Sequence, residues 1–142
     1  MTTGPEINII TGELVPHERR ADFVDALFGI HFPTQLEPYV FAVASQLSVD
    51  YGGAYWHFYA LSNGGFYMAP DDDAPFTVRS ENGYEGALSA DAFGVTACLY
   101  AYSRLSFTAG DRIAEVCARH HHLLREFMME HAEVEAILGA TD

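Results

Sequence analysis

Tyr51-Gly-Gly-Ala-Tyr-Trp-His-Phe-Tyr-Ala-Leu-Ser-Asn-Gly-Gly-Phe-Tyr-Met-Ala-Pro70 consists of two aromatic runs around Ser62-Asn63-Gly64-Gly65, closed by a proline. Asn-Gly and Gly-Gly adopt positive φ at little cost, so the chain reverses there and the flanks read as a β-hairpin. Successive side chains on a strand point to opposite faces. Trp56 and Phe58 therefore face one way, and Tyr55, His57 and Tyr59 the other; on the returning strand Phe66 and Met68 oppose Tyr67. One face is apolar. The other is aromatic with polar tips.

Outward from the hairpin the pattern turns helical on both sides. Phe23, Ala26 and Leu27 share a face between Arg19 and Phe28, a short helix that ends at Gly29. A second helix begins at Thr34 or Gln35 and runs to about Val49, with Leu36, Val40, Val43 and Leu47 as its stripe; Pro38 fits only in its first turn. Residues 1–17 are mixed, with a short strand read at Asn8–Ile10 and a break at Pro16. Beyond the hairpin, Phe76 to Ser80 is β-prone and pairs with the segment from Tyr84 to Leu88. Ser89 is placed to cap a helix from Ala90 to about Ser106, with Asp91 at its positive end. That helix carries only Asp91 and Arg104 as charges, and a helix apolar nearly all round is a core helix. Asp111 is read as the cap of the next, whose stripe is Ile113, Cys117, His120, Leu124 and Phe127. A last short helix from Glu133 to Leu138 is expected to end at Gly139. The fold class is α+β: a small antiparallel sheet with a central aromatic hairpin, covered by N-terminal and C-terminal helices. No linker or repeat divides residues 1–142, which read as one domain.

The chain has no lysine, and seven arginines face twenty acids for a formal charge of -13. A nucleic-acid binder carries basic patches that displace counterions, so direct nucleic-acid binding is not expected. The opening residues lack the basic and apolar regions of a secretory signal, and the most apolar stretch, Ala92 to Tyr102, is shorter than the roughly 20 residues that span a bilayer. Cys98 and Cys117 have no metal-ligand spacing and read as free thiols. No membrane contact is expected, and the protein reads as cytoplasmic.

Several constellations invite chemistry. His120-His121-His122 suggests a metal, but consecutive residues on a helix point about 100° apart and cannot converge on one ion. His122 and Glu126, at i and i+4, supply two ligands where a site needs more. Asp71-Asp72-Asp73 lacks the alternate spacing of a calcium loop and reads as a solvated turn. DNA mimicry needs carboxylates dense enough to match a charge every ~1.7 Å. Here the acids fall in separate groups, Glu18/Asp22/Asp25, Asp71–Asp73 and Glu126/Glu130/Glu133/Glu135, so full-length mimicry is disfavoured and a local acidic contact is left open. Tyr55, His57, Tyr59, Tyr67 and Asn63 would make an acid/base pocket only if a nucleophile or carboxylate joined them. With no complete constellation, no catalytic, metal or cofactor residue is assigned. The polar-tipped face of Tyr55, His57, Tyr59 and Tyr67 is instead the expected protein contact, since tyrosines dominate interface energetics.

The hairpin sequence resembles the signature of the ArdB/KlcA antirestriction family. The resemblance continues in Asn82-Gly-Tyr-Glu-Gly-Ala-Leu-Ser-Ala-Asp-Ala-Phe-Gly94, which looks like the family's second block. One position departs: Ala54 stands where the family usually has a further glycine, a change a strand start accepts unless φ is positive. The resemblance implies a cytoplasmic protein of mobile genetic elements that inhibits type I restriction-modification and so protects incoming DNA. It implies no catalysis or cofactor, and a partner that is either the restriction enzyme or a host factor controlling it. The alternatives are an acidic interaction module with another regulatory target and a small hydrolase or ligand-binding domain. A deep pocket joining His57 and Tyr59 to a carboxylate would favour the hydrolase; a shallow exposed patch would favour contact.

Overall fold

A computed structural model describes residues 9–108 and 110–142, and the hairpin lies at its centre. Strands β2 (Trp56–Leu61) and β3 (Phe66–Pro70) pair antiparallel, with Phe58 opposite Met68 and Tyr59 opposite Tyr67. Gly64 takes φ +93°, and its N–H donates to the Leu61 carbonyl at 3.0 Å, which closes the turn. A third strand, β1 (Gly12–Leu14), pairs with the other edge of β2, Leu14 lying opposite Tyr59. The strand expected at Asn8–Ile10 is thus displaced: Asn8 lies outside the described residues, and Ile9 and Ile10 belong to no strand. Three residues that are all exposed have no periodicity to read.

The apolar face of the hairpin is the core. Trp56, Phe58, Phe66 and Met68 are all buried, as alternation required. Helices α1 (Arg20–Phe28) and α2 (Glu37–Leu47) cover them, with Phe28 edge-on to Phe66 at 5.8 Å and Phe41 on Trp56 at 5.5 Å. Gly29 ends α1 at φ +60°. The second helix starts later than its stripe suggested. Phe32–Leu36 forms one π-helical turn, in which the Glu37 N–H reaches back to the Phe32 carbonyl. Pro38 follows directly and, having no N–H, can only sit at the start of α2.

A second sheet pairs β4 (Phe76–Arg79) with β5 (Glu85–Leu88), Val78 lying opposite Gly86. Helix α3 (Ala90–Thr108) is buried nearly throughout and runs along the outer edge of β3. Its Tyr102 hydroxyl donates to the Phe66 carbonyl at 2.8 Å, and Gly94 lies against Ala69 and the Met68 carbonyl. That edge of the sheet is therefore closed by a helix. Ser89 caps α3, its Oγ accepting the Ala92 N–H at 3.2 Å. Helix α4 (Asp111–Met128) packs on α3 through Ile113, Cys117, His120 and Leu124, all buried, with Phe127 half-buried at the end of the stripe. The Asp111 side chain lies outside what the structure describes.

Helix α5 (Val134–Thr141) continues through Gly139, contrary to the expected stop. The glycine serves packing instead: a Cβ there would lie 2.8 Å from the Tyr84 ring, and Asn82 Nδ2 donates to the Gly139 carbonyl at 2.9 Å. Cys98 and Cys117 are buried free thiols, pushed by burial up to about 12 and about 11. Among the described residues, no helix is long and apolar enough to cross a membrane.

Candidate functional site

The outward face of β2 leaves a row of rings at the surface. Tyr55 is exposed, His57 and Tyr59 are half-buried, and each ring meets the next nearly edge-on, at 5.3 Å and 6.4 Å between centroids. The Tyr55 end is braced by residues from the approach to α1. His17 Nδ1 lies 3.0 Å from the Tyr55 hydroxyl, and Arg20 donates to the same oxygen and, at 2.8 Å, to the Trp56 carbonyl. The Arg20 guanidinium also lies over the Phe58 ring, 3.8 Å from its centroid. At the same open end of the strand pair, where the Asp71 N–H donates to the Tyr55 carbonyl at 2.7 Å, His57 Nε2 is 3.4 Å from the Asp71 carboxylate.

Tyr67 departs from expectation. It shares the outward face but is only 3% exposed, because α4 folds over it. Its ring is stacked between Tyr59, at 4.8 Å, and Phe127, at 5.4 Å. Alternation fixed the face on which Tyr67 stands but not what lies above it, so Tyr67 is a support of the row rather than an exposed contact. Its hydroxyl donates to Asp91 Oδ1 at 2.7 Å. Burial, reinforced by the Asp91 charge, pushes this hydroxyl far above its ordinary range and keeps it a donor. His131 Nε2 lies 2.7 Å from Asp91 Oδ2, while its Nδ1 accepts the Glu133 N–H at 2.9 Å, so the ring proton sits on Nε2 and points to Asp91. Burial raises the Asp91 carboxyl, but the hydrogen bonds from His131 and Tyr67 outweigh it and hold the group below its usual value. Glu133 in turn accepts from the Ser89 backbone N–H, at 2.9 Å, and from its hydroxyl. This network joins hairpin, α3 and the α4–α5 turn. Asp91 was legible only as a charge at a helix start; His131 lies forty residues away and Glu133 forty-two, so nothing local tied them to it.

Two clefts beside these elements lie off the row. A cleft of about 430 Å³ beside β1 is lined by Glu13, Leu14, Phe23 and Ala60, and one of about 330 Å³ beside the π-helical turn by Gly29, Ile30, Pro33 and Glu37. Neither includes Tyr55, His57, Tyr59 or Tyr67. Asn63 is committed elsewhere, its Oδ1 accepting the Gly65 N–H and its Nδ2 donating to the Leu123 carbonyl at 2.9 Å, which ties the turn to α4. The three adjacent histidines diverge as helix geometry requires. His120 is buried against Phe28 at 4.7 Å, His121 is half-buried, and His122 is exposed, 3.4 Å from Glu126. Among the described residues, no three His, Cys, Asp or Glu side chains converge to hold a metal. Asp71, Asp72 and Asp73 form an exposed turn in which Asp72 accepts the Ala74 N–H at 2.9 Å.

Residues 49–142 match the family model described as antirestriction protein. An antirestriction protein KlcA of Escherichia coli is 40% identical over 94% of this chain and 95% of its own length. The uncharacterized protein YafX of Escherichia coli strain K12 is 39% identical over 90% of this chain and 85% of its own. A solved structure from work on KlcA and ArdB superposes with a TM-score of 0.88 at 39% identity, covering 99% of this chain and all of that one. Those two proteins are described as having a novel fold and antirestriction activity against type I DNA restriction systems in vivo but not in vitro.

Proposed function

The chain belongs to the antirestriction protein family, and on that premise we propose that it relieves type I restriction of incoming DNA through a protein contact made by the row Tyr55–His57–Tyr59. The observation that carries this reading is the row itself. Its rings are presented at the surface and held from behind by Arg20, Tyr67 and Asp91, outside the two clefts described above. Such a surface suits recognition of another protein, where tyrosine supplies contact area at low conformational cost. Residues 1–142 act as one unit in the cytoplasm, where restriction takes place, without catalysis, cofactor or direct binding of nucleic acid.

The behaviour of KlcA and ArdB, active in vivo but not in vitro, points to a component that purified systems lack. We place the contact on a host factor that controls the restriction enzyme, in preference to the enzyme alone. The test compares plating of unmodified phage on a type I restricting host with and without this protein. Relief of restriction is expected, and Tyr55→Ala should reduce it while the domain stays folded. Absence of relief, with soluble protein confirmed, sinks the reading.

A further inference from the structure

We infer that the His57–Tyr59 end of this row is a seat for a basic side chain, an arginine above all, presented by the partner protein. The inference rests on the reading that this face makes the contact, and it names what the face takes.

Tyr59 is the outermost ring of the stack Tyr59–Tyr67–Phe127. One of its faces is covered by Tyr67 and His57 meets it edge-on, so among the described residues no ring covers its other face. Leu14, its cross-strand neighbour on β1, is 51% exposed and extends that surface with an apolar side chain. Two carboxylates are bound to the rings that touch Tyr59, Asp71 to His57 and Asp91 to Tyr67. Asp71 is 64% exposed and touches only His57 among ionisable groups; Asp91 is 43% exposed and is held charged by Tyr67 and His131. Burial, and then the charges of Asp91 and Asp71, raise the Tyr59 hydroxyl above its ordinary value. Three of the seven arginines pair with other acids: Arg79 with Glu85, Arg104 with Glu81, Arg125 with Asp142. An electron-rich ring face beside two carboxylates and an aliphatic shelf matches a guanidinium on its alkyl stem. The same strand already binds one: Arg20 of the chain itself lies over Tyr55, 4.9 Å from the ring centroid, and over Phe58. The acids of the chain exceed its arginines by thirteen, so a basic partner is also the one its field attracts.

The probe is a tetra-arginine peptide with blocked ends, followed through the side-chain resonances of His57 and Tyr59, against a tetra-citrulline peptide that keeps shape and loses charge. Saturable shifts with tetra-arginine alone are expected. Tyr59→Leu should abolish them, and Asp71→Asn should weaken binding about twofold to fivefold. Asp71 is exposed, so that variant keeps the test decisive if Tyr59→Leu fails to fold. Equal shifts with citrulline, or shifts spread over Asp72, Asp73 and Glu126–Glu135, overturn the seat. If Tyr59→Leu abolishes restriction relief in cells while tetra-arginine does not bind, the contact stands and the seat falls. If tetra-arginine binds as expected but the wild-type protein gives no relief, the seat stands and the proposed function falls.

Discussion

Trp56 is 3% exposed, donates its indole N–H to the Tyr51 hydroxyl at 3.0 Å and packs on Phe41. Its replacement by alanine removes a large ring from a packed interior, and Trp56→Ala should cost about 3–5 kcal/mol. A urea titration of variant and wild type followed by circular dichroism checks this; an unchanged midpoint would mean the apolar face is not the core. Gly94 makes the opposite case. A Cβ there would collide with Ala69 and the Met68 carbonyl, and backbone cannot yield as a side-chain tip does. Gly94→Ala should therefore destabilise by about 1–3 kcal/mol despite the helix propensity it gains. Gly52→Ala, at a site with nothing within 4 Å, is the control and should be nearly silent. Alternation placed Trp56, Phe58, Phe66 and Met68 inside because strand period is a local property. It could not show that Tyr67 would be covered, because Phe127 arrives from sixty residues later in the chain.

Helix α4 shows the same divide at the scale of an element. Its stripe identified His120 as the core-facing member of the three histidines, from spacing alone. What the stripe could not supply was an environment: His120 packs on Phe28 and Tyr102, its Nδ1 has no hydrogen-bond partner, and burial lowers its ionisation to about 4. The unfolded chain takes up a proton near 6.5, the folded one near 4, so between those values the unfolded state binds more protons and stability falls as pH falls. His120→Phe should flatten stability between pH 6.5 and 4, a difference on the order of 2–3 kcal/mol at the acid end. Urea midpoints across that range read it directly; parallel curves would refute it. Asp91 acts in the same sense at lower pH. Its carboxyl is held below the ordinary range, so its contribution is complete above that range and is lost as pH falls through the folded value. Asp91→Asn should remove part of the acid-unfolding limb, with the limb's position as the measurement. The chain also read α5 too short, since a helical glycine signals a stop and a packing position equally well until Tyr84 is seen lying on it.

For the whole molecule, the charge of -13 is spread and partly paired. Asp72 and Asp73 are exposed, and Asp72 serves a turn by accepting the Ala74 N–H. Changing both to asparagine should leave relief of restriction unchanged; a proportional loss, with salt-sensitive competition against DNA, would move the mechanism to mimicry. The α+β class was legible in full, because aromatic alternation and helical stripes are written locally. The splitting of the strands into a three-stranded and a two-stranded sheet, and the polar network under Tyr59, were not, since both depend on contacts between distant segments. One of those local features carries a practical consequence. Trp56 is the single tryptophan of the chain, and it lies in the interior between Tyr55 and His57, which face outward. The protein is thus born with one optical probe at the strand where recognition is expected. Its emission should be blue-shifted in the native state and move to the red as the core opens. A partner docking on the outer face would be registered one peptide away, without any label.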